Sequence, residues 1–158
     1  MSGCGCPGTQ MQDFSKKDDG NNNECNETGE RQSELRQWPV QLHLVGPMAP
    51  YFQKADVLLV ADCVPFALAD FHKNYIKGAS LAIACPKLDT NQEIYLEKIT
   101  AMIDDAQINT LTVMIMQVPC CGGLQSLART ALANAKRKIP LKIIVVSIQG
   151  EILSEDWA

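Results

Sequence analysis

The chain has 158 residues, 46% of them hydrophobic, which suits one domain with a real core and is too short for two of ordinary size. Its 14 basic and 18 acidic side chains leave a net charge of −4. Residues 1–34 carry all of that excess, the remainder is neutral, there is no basic footprint for nucleic acid, and no run of about 18 apolar residues occurs.

The opening MSGCGCPGTQMQDF lacks the charged start and apolar core of a signal peptide, so a cytoplasmic location with no membrane association is expected. In a reduced compartment seven cysteines read as metal-binding or redox-active rather than as a disulfide framework, and an odd count leaves one unpaired. Residues 1–34 combine Gly, Asn, Asp, Glu and Ser with almost no large aliphatics, and such a segment cannot offset its ordering entropy by burial. They are expected to form a flexible cysteine-containing tail, with the α/β domain spanning residues 35–158.

From Trp38 onward, short apolar runs alternate with helical stretches. The runs are QLHLV (41–45), VLLVA (57–61), SLAIA (80–84), TLTVMIMQV (110–118) and LKIIVVSI (141–148). Most are apolar at successive positions, as in strands buried on both faces of a parallel sheet. Helices are expected near 66–77, 91–106 and 122–138. In the second, Ile94, Leu96, Ile99, Ile103 and Ala106 form one apolar face, with Asp89, Thr90 and Asn91 as N-cap candidates. In the third, Leu124, Leu127, Ala128, Ala131, Leu132 and Ala135 share a face, and Lys136-Arg137-Lys138 closes it before Pro140. The expected architecture is α/β, a three-layer α/β/α sandwich with a mostly parallel five-stranded sheet.

Ligands of open parallel sheets gather beyond the carboxyl ends of the strands. Cys63 follows VLLVAD, Cys85 ends SLAIAC, and Cys120 and Cys121 follow TVMIMQVP. One cysteine in such a place reads as a small buried residue; four on one edge read as ligands. Pro65, Pro86 and Pro119 stop the strands, and Gly122-Gly123 lets backbone amides approach a bound group. Four thiolates satisfy one [4Fe-4S] cube or one zinc ion, and zinc is disfavoured because the paired CxxC knuckles of structural zinc sites are missing. Cys4 and Cys6 form a CxC in the tail, which either completes a second or larger cluster or is an exposed thiol pair. Cys25 is the weakest candidate. His43 and His72 read as packing or surface residues, Asp62 and Asp70 as turn-capping groups beside the Cys63 loop, and Lys87 as a positive charge near the thiols. The absence of a P-loop, GxGxxG or Ser–His–Asp order leaves a nucleotide-dependent enzyme without support.

The motifs SELRQWPVQLHLV (33–45), APYFQKADVLLVADCVPFALADFH (49–72), CPKLD (85–89), VPCCGGL (118–124) and IPLKIIVVSIQGEI (139–152) resemble the C-terminal module of a bacterial and archaeal family of ferredoxin-like, 4Fe-4S-binding proteins of anaerobes. Longer members precede this module with a ferredoxin-type domain carrying CxxCxxC repeats, which this sequence lacks. The resemblance implies iron–sulfur binding and electron transfer in anaerobic metabolism, with a redox partner such as a ferredoxin or an oxidoreductase. Cys120-Cys121-Gly122 also has a local likeness to the CCG motif of heterodisulfide reductase subunits. The alternatives are a redox enzyme using an unusual cluster or the vicinal thiols on a small substrate, and a zinc or thiol structural module that docks on a redox partner.

Overall fold

The computed structural model describes residues 11–13 and 31–158. Two short strands, β1 (Gln12–Asp13) and β2 (Gln37–Trp38), pair antiparallel. The main sheet is built from β3 (Asp56–Ala61), β4 (Ser80–Ala84), β5 (Thr110–Met116), β6 (Leu141–Val146) and β7 (Ile152–Trp157), in the order β4-β3-β5-β6-β7. The first four are parallel and β7 is antiparallel to β6. The fold is therefore the expected three-layer α/β sandwich with a mostly parallel five-stranded sheet.

The apolar runs explain the order of burial. Residues 57–61 of β3 are all buried, as are Val113 to Met116 of β5, because helices or turns cover both faces there. Helices α2 (Gln92–Asp104) and α3 (Gly122–Asn134) pack side by side on one face. The other face is covered more thinly, by the single turn of α1 (Val64–Ala67) and a π-type turn over His72–Ile76. Asn74 and Tyr75 of that turn border a groove of about 440 Å³ with Thr112, Lys142 and Ile144.

Three expectations change. QLHLV is not a strand; Gln41 makes one isolated bridge to Ile83 and residues 42–45 turn, because the Lys98 ammonium of α2 donates to three carbonyls, Leu42 O (2.9 Å), His43 O (2.6 Å) and Val45 O (2.9 Å). The fifth strand is instead β7, whose ILSEDW sequence is mostly exposed and charged, as suits a sheet edge. The helix expected over 66–77 breaks at Leu68, whose backbone is extended, into α1 and the π-type turn.

Within α2 the buried face is Tyr95, Ile99, Met102 and Ile103, while Ile94 is exposed. Its N-cap residue Asn91 sits in the left-handed region without a side-chain capping bond. Helix α3 ends at Asn134, earlier than expected. There the Asp104 carboxylate accepts the Lys136 (3.0 Å) and Arg137 (2.9 Å) amides, and Lys138 donates to the Leu132, Ala133 and Ala135 carbonyls.

Two predictions arise here. Lys98→Met should lower unfolding stability by about 2 kcal/mol, since three carbonyls lose a charged donor; a denaturation midpoint equal to wild type would show that water replaces the ammonium without loss. The Asp104 carboxyl is held below its ordinary value by the Arg137 and Lys136 amides. A depressed carboxyl stabilises the fold above its unfolded value, and that contribution is lost as pH falls through the folded value. Stability of Asp104→Asn should therefore fall less steeply below about pH 4 than that of wild type, and parallel acid-unfolding curves would refute this role.

Candidate functional site

Chain direction makes one point of the sheet special. The chain passes from β3 outward to β4, then returns across β3 to β5, so the winding reverses between β3 and β5. The carboxyl ends at such a reversal leave a crevice, because the following loops diverge to either side. Cys63 lies two residues beyond β3, Cys85 directly follows β4, and Cys120 and Cys121 form the turn Pro119–Cys121 after β5. These are three adjacent strands, and at about 4.8 Å between neighbours their ends span roughly 10 Å.

Cys63 and Cys120 are exposed, Cys85 is partly buried and Cys121 is buried at 7% exposure. Burial pushes the Cys121 thiol up; a hydrogen bond with the Met116 backbone opposes this, and neighbouring Cys120 and Cys63 add to it. Cys121 is thus within electrostatic reach of both Cys120 and Cys63. The Cys85 loop joins them through packing: a methyl group added at Gly123 would sit 3.1 Å from Pro86 Cβ, so the absence of a side chain lets the β4 loop reach past the end of β3 onto the start of α3. The first turn of α3 brings the positive end of the helix dipole to the thiols.

Behind the thiols lies a polar network. One oxygen of Asp89, Oδ2, accepts the Cys85 amide (2.8 Å), the Gln41 side-chain amide (3.2 Å) and the Tyr95 hydroxyl. Asp89 N–H returns to Cys85 O at 2.8 Å, closing the turn. Tyr95 is fully buried and packs on His43 with ring centroids 4.3 Å apart. Burial raises the Tyr95 hydroxyl and the bond to Asp89 raises it further. The buried Asp62 Oδ1 has no hydrogen-bond partner among the described residues, so the expected capping role is not made through that atom. Burial pushes its carboxyl above the ordinary value, with a further push from Asp89.

Asp70 pairs with Arg31, and the Nδ1 of exposed His72 accepts the Glu34 amide (3.2 Å), which ties residues 31–34 beside the Cys63 loop. Lys87 is exposed on the Cys85 loop. Cys4, Cys6 and Cys25 lie outside the described residues. Asp89 was legible only as an N-cap candidate; the signal for its actual place is the CPKLD spacing, which sets a carboxylate four residues after a strand-end amide.

Among the described residues no three His, Cys, Asp or Glu side chains converge tightly enough to chelate one metal ion. Three neighbouring strand ends supply an all-sulfur donor set beside the start of α3.

The fold and its edge define a doubly wound α/β domain with thiols, rather than a glycine-rich phosphate loop, at the winding reversal. The chain belongs to the Rossmann-like domain family, whose model matches residues 49–158, from just before β3 to the last residue. It is similar to an uncharacterised protein of Archaeoglobus fulgidus, 27% identical over 119 residues that cover 75% of this chain and 83% of the relative. No solved structure matches it. Among the described residues no helix is long and apolar enough to cross a membrane.

Proposed function

We propose that the protein binds an iron–sulfur cluster, [4Fe-4S] in type, and acts in electron transfer in anaerobic metabolism with a redox partner protein. The observation that carries this reading is the delivery of Cys63, Cys85, Cys120 and Cys121 to the carboxyl ends of three adjacent strands at the winding reversal. Those four residues would hold the cluster, and Cys4 and Cys6 are the auxiliary ligands of a second or larger one. When bound, such a cluster supplies one-electron redox chemistry whose potential follows net charge, sulfur hydrogen bonds and exposure. This chain's own contribution is to fix the thiols: Pro86 against Gly123 for one loop, the Asp89 network for Cys85, and burial for Cys121. The likeness of the motifs to ferredoxin-like proteins of anaerobes supports the same reading, and a cytoplasmic setting suits it.

The test is iron, sulfide and zinc content per chain after anaerobic purification, with an electron paramagnetic resonance spectrum of the reduced protein. About four irons and four sulfides fit one cube. Markedly more would bring in Cys4 and Cys6. Zinc alone, or no iron after reconstitution, would overturn the proposal in favour of a thiol or zinc module.

A further inference from the structure

We infer that Asp89 is the positioning residue of the thiol edge, fixing the Cys85 loop and holding a negative charge behind the cluster that lowers its reduction potential. The inference rests on the cluster reading above and deepens it.

Asp89 Oδ2 gathers donors from three separate parts of the fold: the Cys85 amide at the end of β4, Gln41 in the turn that borders β4, and Tyr95 in the first turns of α2. Three donors on one oxygen is the pattern of an acceptor-only carboxylate. The backbone closes the same turn from the other side, with Asp89 N–H and Leu88 N–H both donating to Cys85 O at 2.8 and 3.1 Å. Residues 85–89 are therefore held at both ends, while Lys87 and Leu88 at the tip remain exposed. Without the carboxylate, the Cys85 amide, the Gln41 amide and the Tyr95 hydroxyl would lose their common partner.

The charge follows from the geometry. A cluster that gains an electron becomes more negative, and a fixed carboxylate bonded to the amide of one of its ligands disfavours that gain. Asn at position 89 keeps a side-chain oxygen for the donors and removes the charge. Ala removes both. Positioning and charge therefore separate experimentally.

The experiment uses the full chain, anaerobically reconstituted, as wild type, Asp89→Asn, Asp89→Ala and Glu93→Gln. The last removes an exposed carboxylate from the first turn of α2 and controls for net charge. Midpoint potentials come from titrations followed by paramagnetic resonance, and cluster retention from iron loss to a chelator. Asp89→Asn should load iron as wild type does and titrate at a more positive potential, with Glu93→Gln unmoved. Asp89→Ala should lose iron about tenfold faster, the low end of the cost of removing an outer-shell partner. If Asp89→Ala does not fold, Asp89→Asn alone decides. An Asp89→Asn potential equal to wild type, or an Asp89→Ala variant that retains iron as wild type does, overturns the inference and leaves the cluster reading standing. A wild-type chain that takes up no iron overturns both.

Discussion

On the proposed cluster reading, Cys63→Ser and Cys85→Ser should each strip most of the iron from reconstituted protein, from about four irons per chain to below about one. A hydroxyl is a poor donor for iron in a sulfide-bridged cluster, and each of these residues is the only cysteine its strand end supplies. Cys120 and Cys121 differ in kind. They are neighbours, with one side chain exposed and the other buried, so their single variants need not agree, and comparing them tells which thiol is the ligand. Cys25→Ser should be nearly silent. Iron retained in full by Cys63→Ser would remove that residue from the site, and retention by all four variants would end the cluster proposal.

Gly150→Ala should be the most damaging of the small substitutions, costing about 2–4 kcal/mol. The residue has φ +85°, in the left-handed region, and a Cβ there would lie 2.2 Å from the carbonyl oxygen of Ala67. The obstacle is backbone, at the end of α1, so no side chain can swing aside. Relief requires moving either the β6–β7 turn or the helix that follows Cys63. Gly46→Ala is the matched control, since nothing lies within 4 Å of its added carbon, and it should stay within about 0.5 kcal/mol of wild type. Equal denaturation midpoints for the two variants would show that the turn does not press on α1.

The interior of the sheet was legible from sequence because burial on both faces writes itself as uninterrupted aliphatic runs. VLLVA, SLAIA, TLTVMIMQV and LKIIVVSI became β3, β4, β5 and β6 with ends shifted by at most two residues. The edges were less legible, for physical reasons. In QLHLV, Leu42 and Val45 are buried and Leu44 is exposed, the spacing of a turn, and the Lys98 ammonium that stabilises that turn lies 53–56 residues away. ILSEDW carries two acidic side chains because an outer strand must be soluble on its free side, and those charges hide it from any search for apolar runs.

At the site, sequence order alone brought Cys63, Cys85, Cys120 and Cys121 to one edge, since a cysteine just after a buried run has little freedom of position. What it did not reveal was the scaffold behind them. Asp89, Tyr95 and Gln41 meet only after residues 41 to 95 have folded around β4, so no local pattern announces them.

On the proposed cluster reading, the reach of Pro86 past the end of β3 onto Gly123 also bears on how the protein would mature. In CxxCxxC ferredoxins the ligands are neighbours along the chain, so an unfolded segment already offers them to iron. Here the sulfurs are separated by 22 and 35 residues, and the contact that draws their loops together joins positions 86 and 123. Closing such long loops costs entropy that only the finished sheet offsets. On that reading the chain would fold first, on its aliphatic core, and the finished edge is what an iron-delivery partner would meet.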